Sequence, residues 1–431
     1  MQVMAHLAAC ALVILAPLTV GVALGPPIAP GILPLYVQAV VYLSDVPAMV
    51  LLLAAGVSAL RERRAPTAPL VAPFTAALFA LAALGLVTSV LALSPPLAAY
   101  SALRWLLASG VAWALVRARI SPTTVATALC VGLALQVAVG VAQVLVQSPL
   151  GLPGERALPP FHPAAAIVAT GTAHWLRAYG LTFHPNVLGG FLCVGILLAL
   201  PLLDRLALRL LWWLLWCGLL LTFSRSAWLA TGLTLPVAVA WLVCQRPALR
   251  WPLGWALAGV AVLAGGGAVL LAPQVATRLA PLTASVGTGG APEPAEHLSL
   301  AQRVDMARAA LVAIRENPLA GVGAGNFPLE MRRQGAGSTP QYVHDVPLLL
   351  AAEVGVLGGA VWTAAWLAGI AALVAGWRRL SPEAVAALAA WCAIGVIGLF
   401  DSYPWALEAG RLLTAVTVGL VDSARAAPRD G

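Results

Sequence analysis

Pro273-Gln274-Val275-Ala276-Thr277-Arg278 opens, and Gln341-Tyr342-Val343-His344-Asp345 closes, the longest segment of this chain that a bilayer would reject. The segment carries six arginines and six carboxylates, 12 of the 40 charged residues, and the sequence on both sides is almost uninterruptedly apolar. A polar stretch of that length between hydrophobic runs reads as an extramembrane roof held by membrane-spanning helices. The expectation is an all-α polytopic fold in which the roof covers a reaction site.

Composition supports that class. Of 431 residues, 61% are apolar and 9% charged, and mean hydropathy is +0.93; soluble domains carry roughly 25% charge. A net charge of +8 would suit nucleic acid in a soluble protein. Here much of the positive charge falls in short loops between apolar runs, where it sets orientation. The expected surroundings are therefore a lipid bilayer, with no nucleic acid. All 24 basic residues are arginine, which coding bias explains. Cys10, Cys130, Cys193, Cys217, Cys244 and Cys392 lie in or at the ends of apolar runs, none in the roof. Neither a disulfide framework nor a cysteine metal site is indicated, and no cofactor is expected. The first apolar run lacks a basic leader and reads as a retained helix.

At roughly 20 residues per crossing, twelve runs can span a membrane: residues 5–24, 33–60, 72–93, 97–117, 122–147, 187–203, 207–223, 226–244, 252–272, 346–376, 383–400 and 404–421. The chain divides into 1–147 with five spans, 148–272 with an outer loop and four more, the roof 273–345, and 346–431 with the last three spans and a tail. With a cytoplasmic amino terminus, Arg61, Arg63, Arg64, Arg117, Arg119, Arg205, Arg209, Arg246, Arg250, Arg378, Arg379, Arg425 and Arg429 all fall on the cytoplasmic side. That is 13 of the 24 arginines, in agreement with the positive-inside rule.

Two outer segments then stand out. Thr222-Phe223-Ser224-Arg225-Ser226 joins two spans with almost no loop. Arg225 there is either an interfacial arginine beside Trp228 or a guanidinium placed to pair with a phosphate. Arg177 precedes His184-Pro185-Asn186, where a span opens with proline in its first turn and a polar cap. An outward helix amino terminus favours an anion, and two such corners on one face suit a polyanionic ligand.

Within the roof, Ser299-Leu300-Ala301-Gln302 has the capping-box pattern and predicts a helix from there to about Glu316. Val304, Ala307, Leu311 and Ile314 recur at helical spacing and are expected to pack down on the bundle. Gly321-Val322-Gly323-Ala324-Gly325-Asn326 reads as a structural turn, because no strand precedes it. His344, at a loop-to-helix junction on the same face as Arg177 and Arg225, is placed to accept or orient a proton. Glu353, about two turns further on, is expected to pair with Arg104 or Arg411.

Taken together, Arg177 with His184-Pro185-Asn186, Thr222-Phe223-Ser224-Arg225-Ser226, Arg303 with Asn317-Pro318-Leu319-Ala320-Gly321-Val322-Gly323, and His344 with Glu353-Val354-Gly355 resemble the bacterial O-antigen ligase and polymerase superfamily. The resemblance covers residues 177–360. It implies about twelve transmembrane helices in a GT-C-like arrangement, with the large extracytoplasmic loop between helices nine and ten. It also implies a plasma-membrane enzyme that moves a glycan from undecaprenyl pyrophosphate to an acceptor hydroxyl outside the cytoplasm, metal-independent and inverting. In that scheme Arg225, Arg177 and Arg303 bind the pyrophosphate and His344 acts on the acceptor. His184, Asn186, Ser224, Ser226, Glu353 and Asp401 are supporting residues. The chain departs from many relatives in having Asp345 after His344 where they have asparagine, and Met306 where they have an aromatic residue.

The single large loop favours a ligase-like enzyme with a lipid A core acceptor. A polymerase of lipid-linked repeats and a protein O-oligosaccharyltransferase share the donor chemistry. A twelve-span transporter would carry internal repeats and a midplane site. The two halves show no convincing repeat, and Asp45 and Arg104 are the main ionisable candidates near midplane.

Overall fold

A computed structural model describes residues 1–61, 71–162, 164–170, 173–284, 294–336 and 340–426. Arg63, Arg64 and Arg429, assigned above to the cytoplasmic side, lie outside the described residues. The chain is mostly helical. In order the helices are α1 (Gln2–Leu15), α2 (Pro34–Val37), α3 (Asp45–Arg61), α4 (Pro73–Thr88), α5 (Pro95–Arg117), α6 (Pro122–Val146), α7 (Pro185–Ala199), α8 (Leu206–Leu221) and α9 (Arg225–Gln245). There follow α10 (Arg250–Leu270), α11 (Ala272–Ala284), α12 (Pro294–Glu316), α13 (Phe327–Arg333), α14 (Val346–Val354), α15 (Val356–Ala375), α16 (Pro382–Gly398), α17 (Tyr403–Ala406) and α18 (Glu408–Ala426).

Each of the twelve apolar runs contains a helix, and among the described residues seven helical segments are long and apolar enough to cross a membrane. The chain is a multi-pass membrane protein. Prolines punctuate it: α4, α5, α6, α7 and α16 all begin on one, where a missing N–H costs nothing and the fixed φ suits a helix start.

The mostly helical structure agrees with the all-α class and adds two short hairpins: β1 (Gly21–Ala23) pairs antiparallel with β2 (Val40–Tyr42), and β3 (Ile167–Thr170) with β4 (Ala173–Leu176). Several expectations need correction. The second run becomes a long helix only at Asp45, because residues 33–44 are spent on α2 and β2. The tenth run is broken at Gly355, whose φ is +84° and where an added Cβ would stand 2.1 Å from the Leu319 carbonyl oxygen. Val356 N–H donates to Pro318 O there, so the roof is stitched into the break.

Helix α12 starts at Pro294, ahead of the capping box. Its buried stripe is Met306, Ala309, Ala310 and Ala313, while Val304 and Leu311 are 41% and 46% exposed. Small alanine faces let α12 lie close on α14, and proximity outweighs side-chain size in choosing the face. The glycine turn forms as expected. Gly321, Gly323 and Gly325 all have positive φ, and Val322 and Gly323 N–H groups donate to Ala352 O and Glu353 O.

Helix α7 is central: every residue from Pro185 to Ala199 except Asn186 is buried. In α10 only Leu253 and Ala256 are. Gly189 and Gly190 make the enclosure of α7 possible. A Cβ on Gly189 would meet Ser224 Cβ at 2.8 Å, and one on Gly190 would collide with the Tyr403 hydroxyl. The start of α9 and the α16–α17 turn therefore approach the first two turns of α7 closely.

Candidate active site

Three helix starts and one turn meet at this end of the bundle. His184 caps α7, its Nδ1 accepting the Asn186 N–H at 3.1 Å. Ser224 occupies the cap position of α9. Just before it, Phe223 takes φ +47°, a left-handed conformation uncommon for a bulky residue, and the chain reverses between α8 and α9. Asp345 caps α14 by accepting the Leu348 N–H at 2.8 Å. Between α16 and α17 the turn carries Asp401.

Asp401 is the hub. Its carboxylate accepts from Asn186 Nδ2 at 3.2 and 3.1 Å and from Ser226 Oγ at 2.8 Å, and it faces His344 Nδ1 at 3.4 Å. Ser224 Oγ lies 3.3 Å from Ser226 Oγ. Burial works against the Asp401 charge, but His344, Arg303 and the Ser226 hydroxyl outweigh it and hold this carboxyl at about 2. Arg303 reaches the same turn from α12, donating to Phe400 O at 3.3 Å.

Arg177 lies on the other side of Asn186. It is buried, and its guanidinium donates from Nε to Thr222 O at 2.7 Å and from Nη2 to Asn186 Oδ1 at 2.6 Å. Both acceptors are neutral. Burial first, then Arg278, with Arg225 adding to it, pushes the Arg177 guanidinium well down against the opposing Tyr179 and Asp401. Burial and Arg177 likewise push His184 down to about 3, so its imidazole stays neutral and keeps its capping lone pair.

Arg177, His184, Asn186, Ser224, Ser226, His344 and Asp401 thus form one connected network, with Arg225 and Arg303 at its edge. Glu353 stands apart from it and pairs with neither arginine expected for it. It accepts from Phe327 N–H at 3.2 Å and Trp405 Nε1 at 2.8 Å, which ties down the segment following Asp401. The carboxylate that holds His344 is the distant Asp401. Its neighbour Asp345 is spent on the cap of α14.

One further residue escapes a sequence reading. Arg278, on α11, donates to Ile167 O at 2.8 Å and adds its charge to the surroundings of Arg177 and His184. Nothing in the sequence distinguishes it from the other five roof arginines.

Chemically, a histidine whose Nδ1 faces a buried carboxylate presents Nε2 to a ligand, and the His344 side chain is 25% exposed. Guanidiniums gathered at the amino termini of α7 and α9 suit an anion with several charges.

Residues 210–363 match the O-antigen ligase family. Over that stretch the chain is similar to the O-antigen ligase family. No curated protein matches it. The match and the long apolar helices together support a multi-pass membrane protein with an O-antigen ligase-like stretch. The matched stretch includes Ser224, Arg225, Ser226, Arg303, His344 and Glu353, whereas Arg177, His184, Asn186 and Asp401 lie outside it. The network joins residues inside the family stretch to residues on either side.

Proposed function

We propose that this protein is a member of the O-antigen ligase superfamily and transfers a glycan from undecaprenyl pyrophosphate to an acceptor hydroxyl at the outer face of the bacterial inner membrane. The acceptor is lipid A core, as in an O-antigen ligase. The observation that carries this reading is the buried Arg177, bonded to two neutral oxygens, one residue's reach from a histidine–carboxylate pair. A buried guanidinium without a bonded carboxylate has desolvation to offset, and a diphosphate supplies the missing charge in a form that guanidiniums bind bidentately.

Arg177, Arg225 and Arg303, with Arg278, hold the pyrophosphate. The acceptor hydroxyl gives its proton to His344 Nε2, and its oxygen bonds to the anomeric carbon from the face opposite the leaving group. The anomeric carbon–phosphate oxygen bond breaks, and the added negative charge on undecaprenyl pyrophosphate is taken up by the guanidiniums. Asp401 fixes the imidazole and stabilises the imidazolium, as an orienting carboxylate does. No step requires a metal.

The test uses purified protein in liposomes with an undecaprenyl pyrophosphate-linked oligosaccharide, with and without lipid A core. One product that requires the core is the expected result. A ladder formed from donor alone assigns a polymerase, and no transfer to either overturns the reading.

A further inference from the structure

From Leu176, the last residue of β4, to residue 182 the backbone running toward α7 is mostly buried, and beyond Leu176 it is irregular. Buried N–H groups outside regular structure must each find a partner, above all at the rim of a membrane bundle. All seven do. Arg177, Ala178 and Thr182 donate to the carbonyls of Ala166, Leu221 and Tyr179. The other four go to side chains of one helix. Leu176 N–H donates to Gln147 Oε1 at 2.7 Å, Tyr179 and Gly180 N–H to Gln143 Oε1 at 3.1 and 3.0 Å, and Leu181 N–H to Gln136 Oε1 at 2.7 Å.

The three glutamines stand on one face of the end of α6, spaced by seven and four residues. Gln147 reaches Leu176 from the left-handed cap position, at φ +51°. Gln143 also donates from Nε2 to Gly180 O at 2.8 Å and to Glu155 Oε1 at 2.7 Å. Glu155 is itself pinned by Leu150 and Leu152 N–H groups. Gly180 has φ +59°, and a Cβ there would stand 2.8 Å from Gln136 Oε1, so the segment and the helix face fit only without a side chain at that position.

We infer that Gln136, Gln143 and Gln147 are positioning residues: they read the backbone of residues 176–181 and thereby aim the Arg177 guanidinium at the pyrophosphate of the donor. The inference rests on the donor site proposed above. The aim depends on backbone, since Arg177 lies between Leu176 and Tyr179, whose N–H groups Gln147 and Gln143 hold. A loosened segment frees Arg177 from Thr222 O and Asn186 while leaving the helices packed.

The experiment measures binding of undecaprenyl pyrophosphate to the full chain in nanodiscs, together with the thermal midpoint, for Q143L, R177A, Q143L/R177A and the exchange Q143E/E155Q. Q143L and R177A are each expected to weaken binding about tenfold. The double variant should bind no worse than R177A, because Gln143 acts through Arg177. The exchange keeps an acceptor for Tyr179 and Gly180 but loses the donor to Gly180 O, so its binding should fall between that of Q143L and wild type. Independent, multiplying losses in the double variant would overturn the inference. So would wild-type binding in Q143L beside weakened R177A, which leaves the donor site standing. Wild-type binding in R177A removes the donor site and the inference together. Should Q143L not accumulate in the membrane, Q147A, which removes the bond from Leu176 N–H and the local bond to Val144 O, is measured in its place on the same criteria.

Discussion

Arg104 and Arg177 are both buried guanidiniums, and they are held in opposite ways. Arg104, on α5, donates to both oxygens of Asp45 at 2.8 and 2.6 Å and from Nε to Glu408 at 2.9 Å. Arg411 stands 3.7 Å from the same glutamate. Two arginines and two carboxylates tie the start of α3 to α5 and α18. Arg177 bonds only to a carbonyl and an amide, and the nearest carboxylate, Asp401, is spent on Asn186, Ser226 and His344. The first cluster is complete within the chain. In the function proposed above an anion completes the second, which is what separates a site from a brace.

The sharpest way to break the comparison is to remove each arginine. Arg104→Met strips the cation from two buried carboxylates and should destabilise the chain by about 3–5 kcal/mol, read as a large fall in thermal midpoint and recovery from detergent. Arg177→Ala should leave the midpoint nearly unchanged while cutting transfer by about 10³-fold. Equal losses of stability in the two variants would erase the distinction between brace and site.

Within the site the effects should separate by role. His344→Ala is expected to lower kcat by about 10³-fold with donor KM unchanged, the signature of a group acting on the acceptor proton. Asp401→Asn should lower kcat by about 10²-fold and also raise donor KM, because Asp401 anchors both His344 and the Asn186 that holds Arg177. Arg225→Ala should cost about 10²-fold in kcat/KM. A donor KM that stays fixed in Asp401→Asn would mean that the two arms of the network work independently.

That the chain is a mostly helical membrane protein was legible because hydropathy is written residue by residue. Helix starts at Pro185 and Val346 were legible for the same local reason. What brings Asp401 to His344 is not local: the two lie 57 residues apart, on a turn and a helix start that sequence spacing does not link, and the turn sits against α7 where Gly190 leaves room for Tyr403. Nor does spacing reveal that Asp345 caps its own helix, that Glu353 goes to Trp405, or that the alanine stripe of α12 wins over its larger residues. Arg278 was invisible because α11 leaves no signal that sets its arginine apart from the others in the roof. Charge pairing across a bundle depends on which helices touch, and the linear pattern constrains that only weakly.

The smallest effect concerns a group that the site keeps neutral. Burial and Arg177 hold His184 at about 3, below the ordinary histidine value of roughly 6.5. The unfolded chain therefore takes up the proton first as pH falls, and stability drops between about 6.5 and 3, by at most about 1.4 kcal/mol per unit. Above that window the histidine costs nothing. Asp401 adds only at the acid end, because its stabilising charge is lost as pH falls from the ordinary aspartate value of roughly 3.9 toward about 2. His184→Asn keeps a good helix cap without the titration, so its thermal midpoint should fall less steeply than wild type between pH 6.5 and 4.5. Inorganic pyrophosphate should flatten the wild-type slope as well, since an anion beside Arg177 makes a second cation tolerable. Parallel slopes for the two proteins, with or without pyrophosphate, would show that the positive field around Arg177 does not reach His184, and would weaken the contrast with the balanced cluster at Arg104.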